Sequence, residues 1–303
     1  MNLWQTVRSV LRRARAASLL LALSLVLSAA PVFAQGAPAE PSEKAGRVWV
    51  GMDGQPLPFK TEEEALEFLR TAKVGSMKII GQGITLPRLA VLEKDGVRMH
   101  AVFRDVDEEK DVFRGSAGTT EMFFRDSYLF EVAAYELSRV LGLDFVPPAV
   151  ERKVNAQRGS LQVWVENALT DFSRVRKKIN PPDLERWRVG LRQMHAWDAL
   201  IYNTDRNAGN ILYGPDWKLW SIDHTRSFRR FNELKEPGQV TGCDRTFWEK
   251  LRTVDDETIR THLKPYLRKY EIDGLLKRRQ KLVELIQKLI NERGEDAVLF
   301  TLR

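Results

Sequence analysis

Three side chains in the second half of the chain have the types and spacing that metal-assisted chemistry needs. Asp205 and Asn210 stand five residues apart in Asn203-Thr-Asp205-Arg206-Asn207-Ala-Gly209-Asn210-Ile-Leu212, and Asp223 follows in Ser221-Ile-Asp223-His224. Between them lie two short apolar segments, 211–213 and 219–222, joined by a Gly214-Pro215-Asp216 turn. A hairpin of this size brings the ends of its two strands together, so Asn210 and Asp223 can converge on one divalent cation. Hard oxygen ligands suit Mg²⁺ or Mn²⁺, and a neighbouring carboxylate, Asp205, can orient a hydroxyl; phosphoryl transfer requires these parts. Taken singly, each residue has a plainer role. Asp205 would be a turn residue after a helix, with Asn207 and Gly209 in left-handed conformations, and Asp223 a strand-end carboxylate. The ordered set, with its intervening hairpin, points to chemistry.

The surrounding pattern supplies elements to hold such a set. Thr61 followed by Glu62, Glu63 and Glu64 forms a capping-box start for a helix carrying Leu66, Phe68 and Leu69. From Met77 to Arg104 the chain alternates in short segments broken by Gly81, Gly83, Pro87 and an Asp95-Gly96 hairpin turn. Residues 127–141 return to helical spacing, closed by Gly142 and the Pro147-Pro148 pair. Leu161 to Val165 reads as a short strand. Asp183 caps a long helix with Leu184, Trp187, Leu191, Met194, Trp197 and Ile201 on its apolar stripe, and residues 274–293 form a last amphipathic helix. Strands, a helix, a strand and then mostly helices predict an α+β molecule with two lobes.

Asp205-x4-Asn210 followed by Ile222-Asp223 resembles the catalytic loop and metal-binding aspartate of the protein-kinase-like superfamily. Ile-Asp-His in place of Asp-Phe-Gly is closer to its atypical branch: phosphatidylinositol 3- and 4-kinases, HipA-like kinases and secretory-pathway casein kinases. Antibiotic phosphotransferases share the Asp-to-Asn spacing. The resemblance spans about residues 77–228 and implies a two-lobed fold, with a small, mainly β N-lobe over 60–165 and a larger helical C-lobe over 166–303. It implies ATP and Mg²⁺ or Mn²⁺ as cofactors, Asp205 as catalytic residue, and Asn210 and Asp223 as metal ligands. For the nucleotide it implies a glycine-rich loop at Gly81, Gly83 and Thr85, then Arg104 where a lysine is usual, and Glu131 as partner of that base. Gln162 and Trp164 fall in the segment linking the lobes and facing adenine. Arg104 is the main departure, because a planar guanidinium fits such a site differently from an ammonium; Lys78 or Lys110 could stand in. His195 suits packing on the long helix, and His224 suits positioning the loop. Three readings remain open: an active phosphotransferase with a protein or lipid acceptor, a pseudokinase acting as a binding module, and a small-molecule kinase.

Composition bounds the partners. The chain has 303 residues, 43% hydrophobic and 29% charged, with 48 basic and 41 acidic residues and a formal charge of +7. Residues 1–34 have a basic start with Arg8, Arg12, Arg13 and Arg15, an apolar run over 16–30 and a small-residue site before Gln35. That order predicts a secretory signal peptide and a periplasmic or extracellular protein. Without those four arginines 44 bases face 41 acids, a charge of +3. Nucleic acid is then not an expected partner. A basic cluster at Lys277, Arg278, Arg279 and Lys281 reads as a solvated helix face that can also meet acidic lipid headgroups. Residues 35–59 read as a linker and N-terminal extension, and the protein is expected to be a monomer. Cys243 is the one cysteine, so neither an internal disulfide nor a cysteine-based zinc site can form.

Overall fold

The computed structural model describes residues 49–81, 86–114, 118 and 120–302. The leader-like segment, most of the linker, Gly83 and Thr85 lie outside them. The capping box forms as its residue types dictate. Glu64 N–H donates to the Thr61 hydroxyl, and the Glu64 carboxylate accepts from Thr61 N–H, which opens α1 (Glu62–Thr71). Its apolar stripe, Ala65, Leu66, Phe68 and Leu69, is buried.

Strands β1 (Lys73–Ile79), β2 (Arg88–Lys94) and β3 (Val97–Arg104) follow as an antiparallel meander. Asp95 and Gly96 both have positive φ, +52° and +77°, as the tight β2–β3 turn demands. The next two strands, β4 (Asp107–Arg114) and β5 (Thr120–Ser127), form a separate ribbon that the sequence pattern did not predict. Their residues are mostly polar and β4 is exposed along nearly its whole length, so no alternating stripe betrays it. It is held instead by a Phe113–Phe124 stack with centroids 4.2 Å apart and by ion pairs from Arg125 to Glu271 (2.6 Å) and from Glu109 to Arg268 (2.7 Å). Helix α2 (Leu129–Val140) comes next, then β6 (Ala149–Val154) and β7 (Gln157–Val163). The main sheet has the order β1-β2-β3-β7-β6. Register puts Arg104 opposite Ser160 and Val102 opposite Gln162, and a Cβ at Gly159 would lie 2.4 Å from the Arg104 carbonyl oxygen. Glycine is needed there for the two strands to close.

The second part is mainly helical. A short strand β8 (Leu169–Thr170) leads into α3 (Asp171–Arg176), and Asp183 caps α4 (Leu184–Ile201). The expected hairpin, β9 (Ile211–Tyr213) and β10 (Leu219–Ser221), pairs with β8 in a three-stranded sheet. Helices α5 (Arg245–Thr253), α6 (Asp256–Leu263) and α7 (Lys269–Arg293) complete this region. The architecture is the α+β arrangement of a β-sheet lobe and a helical lobe.

Two expectations are corrected. Leu184 is 52% exposed, because the first turn of α4 runs beyond the core that fully buries Trp197. The cluster at 277–281 is not a free basic face. Arg278 is fully buried and donates to the carbonyl of Leu200 at the end of α4 (2.6 Å) and to that of Arg229 (2.8 Å). Arg279 donates to Leu251 O and Asp256, and Lys281 to Glu233. These three bases satisfy helix-end carbonyls and local acids, and Lys277 alone of the cluster is left exposed.

Candidate active site

Tyr202, at φ +53°, ends α4 and starts the loop that carries Asp205. Asp198, in the last turn of α4, anchors that loop. Its carboxylate accepts two bonds from the Arg206 guanidinium, at 2.9 and 3.0 Å, and one from the Asn203 amide at 3.0 Å. The third nitrogen of Arg206 donates to the carbonyls of Asn210 (2.8 Å) and Ile222 (2.7 Å). One bidentate guanidinium thus clips together the ends of β9 and β10 beside Asn210 and Asp223. Ile222 N–H closes the same end on Asn210 O at 3.2 Å.

Asp205 is held by its backbone and not by its carboxylate. Its N–H donates to Asn203 Oδ1 (2.9 Å), and its carbonyl accepts from the side-chain amides of Asn207 (3.2 Å) and Asn210 (3.0 Å). The carboxylate stays 44% exposed, 3.7 Å from an Arg226 nitrogen. With its Nδ2 committed to Asp205, Asn210 keeps its Oδ1 as a free acceptor. Asp223, at φ +59°, is half-buried; its carboxylate lies 4.0 Å from Arg104 Nε and accepts from the Thr225 hydroxyl at 3.2 Å. Burial pushes that carboxyl up; Arg104 opposes the shift, and Glu131, Asp205 and Asp126 add to it. Crowded carboxylates of this kind are what a bound cation relieves. Among the described residues no three His, Cys, Asp or Glu side chains converge on a metal position. One carboxylate plus one amide oxygen is the modest protein share typical of Mg²⁺ sites that rely on substrate phosphates.

Arg104, at the end of β3, lies between two acids. Its Nε is 3.7 Å from Glu131 Oε1 and 4.0 Å from Asp223 Oδ1. It is only 6% exposed, and its Nη1 has no hydrogen-bond partner. Lys78 and Lys110 are exposed, and Lys110 pairs with Glu108 at 3.0 Å, whereas Arg104 is the base beside Glu131 and Asp223. Glu131, on α2, is fully buried. It accepts from His224 N–H (2.8 Å), from His224 Nδ1 (3.4 Å) and from Gln162 Nε2 (3.3 Å). Burial alone would raise the Glu131 carboxyl, but the Arg104 charge and the His224 donors outweigh it and hold the group well below the usual carboxylate range. His224 Nε2 faces Trp197 Nε1 (3.4 Å) and Ser221 Oγ (3.1 Å), both donors, which places the imidazole proton on Nδ1 toward Glu131. Glu136, farther along α2, lies 3.8 Å from Arg139 and 3.6 Å from His262, so Glu131 is the acid that faces Arg104.

The remaining expected residues divide. Gln162 is buried with its amide nitrogen spent on Glu131 and on Pro147 O, so it supports the acid. Trp164 follows β7, half-buried, with its N–H on His100 O (3.2 Å). Gly81, at φ +79°, is at the tip of the β1–β2 hairpin, where Ile80 N–H bonds Pro87 O. His195 makes none of these contacts. The pattern passed over Asp198, Asn203 and Arg206, although an arginine next to the candidate catalytic aspartate was a signal for a buried counter-ion. It also passed over the ribbon. Asp126 takes Arg226 at 2.9 Å, Glu121 takes Arg229 at 2.6 Å, and Ser127 N–H donates to Thr225 O at 2.9 Å. The ribbon therefore braces the stretch that follows Asp223.

No protein-family model matches the chain. Protein Rv2133c of Mycobacterium tuberculosis is 27% identical over 167 aligned residues, covering 45% of this chain; the chain spans 57% of that relative's length. Among solved structures, hydra Fam20 with sugar is similar at TM-score 0.58 and 17% identity, over 79% of this chain and 92% of that one. The Golgi casein kinase with Mn/ADP bound is similar at TM-score 0.55 and 17% identity, over 78% of both chains. The chain has an atypical protein-kinase-like fold.

Proposed function

We propose that this chain is an ATP-dependent phosphotransferase moving the γ-phosphate to a hydroxyl of a protein or lipid acceptor. The observation that carries this reading is Arg104 Nη1, a buried cationic donor with no partner, set between Glu131 and the crowded carboxylate of Asp223. An unpaired buried donor is costly, and a phosphate oxygen is the acceptor that would satisfy it. In this reading Asn210 Oδ1 and Asp223 hold Mg²⁺ or Mn²⁺, which neutralises phosphate charge when bound. Arg104, steadied by Glu131, binds the nucleotide phosphates. Trp164 borders the base. Gln162 serves by orienting Glu131. Asp205 orients the acceptor hydroxyl and receives its proton, so the contribution is mostly positioning and electrostatics. Export through residues 1–34 and a monomeric state belong to the same proposal, as do lobes meeting near residue 165. The Golgi casein kinase structure, with Mn/ADP, is consistent with it.

A thermal-shift titration with ATP and Mn²⁺ tests the proposal. Saturating nucleotide raises Tm by about 5–10 °C, and only with the metal present. No stabilisation at any concentration refutes it. Stabilisation without phosphate transfer to any acceptor, or to the protein itself, favours the pseudokinase reading, which the arginine at position 104 otherwise motivates.

Arg206→Ala provides a second check. Loss of the clip between the ends of β9 and β10 weakens metal-dependent nucleotide binding about 10–100-fold, as loss of a partner behind metal ligands generally does. Arg206→Lys recovers little, since an ammonium cannot make the fork to Asp198. Calorimetric titration with Mn²⁺ and nucleotide reads the effect; wild-type affinity in Arg206→Ala would remove the clip from the account.

A further inference from the structure

Arg278, Arg279 and Lys281 are consumed, and Lys277 alone of that cluster stays exposed without a partner among the described residues. A different basic segment keeps three exposed bases. Residues 172–180 hold Arg174, Arg176, Lys177 and Lys178 and no acid. Arg174 is structural: it pairs with Asp171 at 2.6 Å and lies over the Trp187 ring at 5.1 Å, tying α3 to the start of α4. Arg176, Lys177 and Lys178 are exposed and make no ion pair among the described residues. Beside them Phe172 and Val175, three apart on α3 and so on one face, are each 57% exposed, and Leu184 at the adjoining start of α4 is 52% exposed. Single exposed apolar residues are ordinary, whereas an apolar pair on one helix face flanked by three bases without an ion pair, one of them, Arg176, over the Phe172 ring at 5.9 Å, is a composite surface.

We propose that this surface docks the protein on an anionic lipid bilayer. Phe172 and Val175 have the size and exposure to enter the headgroup boundary, and the three bases complement the negative surface around them. A soluble protein groove would bury the apolar pair equally well but would not call for three adjacent exposed bases that make no ion pair among the described residues. Phe172 N–H donates to Ala208 O at 2.9 Å, so docking holds the Asp205 loop at the membrane surface. The docking does not depend on whether phosphate is transferred.

The test places an environment-sensitive fluorophore on Val175→Cys in the full chain; Cys243 is fully buried and does not compete for the label. The apolar run at 16–30 can itself enter vesicles, so the readout is the surroundings of residue 175 and not binding of the chain. Phosphatidylcholine vesicles containing phosphatidylglycerol shift the emission to the blue, while pure phosphatidylcholine vesicles do not. Lys177→Glu/Lys178→Glu in the same background raises the lipid concentration at half-shift at least about tenfold. The same label at Ile79→Cys, 56% exposed on β1, stays in water. The proposal is overturned by no shift with phosphatidylglycerol, by an equal shift at position 79, or by an unchanged titration after the double reversal. A shift caused only by a soluble acidic protein overturns it too.

Discussion

Asp223→Asn abolishes Mn²⁺-dependent stabilisation by ATP, and phosphate transfer falls with it by at least about 10³-fold. Asp223 is the one carboxylate of the proposed metal pair, so its loss removes the charge that balances the cation. Its partner Asn210 supplies only a neutral oxygen, and the amide nitrogen of that side chain is already committed to Asp205 O. The variant should fold without difficulty. In the absence of metal, burial first and then Glu131, Asp205 and Asp126 push the Asp223 carboxyl up against the opposing pull of Arg104, so a neutral amide costs little and the ligand-free Tm does not fall. Asp205→Asn behaves differently. Its carboxylate is half exposed and its backbone carries all of its loop bonds, so the loop persists and nucleotide binding is kept. Turnover drops by about 10²–10⁴-fold, the usual contribution of a positioned base. Labelled-phosphate transfer falls in both variants, while thermal shift separates them, because only Asp223→Asn loses metal-dependent stabilisation. Retained metal-dependent binding in Asp223→Asn would falsify the metal assignment.

Glu131→Ala has the largest expected effect on stability. Glu131 is fully buried, faces the Arg104 guanidinium and accepts three bonds from His224 and Gln162. Truncating it leaves a buried cation without its main counter-charge and two donors without an acceptor. Breaking one partner of such a buried pair costs about 3–5 kcal/mol. At roughly 2–4 °C per kcal/mol for a domain of this size, Tm falls by about 6–20 °C. Glu131→Gln retains the shape and loses less. Because the Glu131 carboxyl is held below its ordinary value of 4.5 in the folded chain, its ionised form adds stability that is complete above that value and is lost as pH falls toward the folded one. The acid side of the Tm profile is therefore flatter in Glu131→Gln than in the natural chain. Superimposable profiles would show that Glu131 carries no such charge.

Much of the frame was legible in residue types. The Thr61 capping box, the Asp95-Gly96 turn, the 211–221 hairpin and the helices around Glu131 and Trp197 are each announced by short-range chemistry that acts over a few residues. Asp205, Asn210 and Asp223 could be paired because a tight hairpin has few geometries. The β4–β5 ribbon was not legible, since its strands lack an apolar face and its stabilising partners, Glu271 and Arg268, lie more than a hundred residues away. Helix α7 begins at Lys269, five residues before the expected Gly274, because Glu271 accepts from Arg268 N–H at 2.8 Å and extends the helix start through a polar stretch.

The sequence by itself singled out the residues proposed to do chemistry, and determined roughly where many strands and helices begin and end, because those depend on local spacing and backbone preference. Only the tertiary structure decided which charges remain available. It buried Arg278 in a helix end and left Lys177 and Lys178 in water, though both segments read as basic runs. It turned Gln162 toward Glu131 and left Arg104 Nη1 without a partner. Charge and burial are set by what the chain brings together from distant positions, and no periodicity within one segment encodes that.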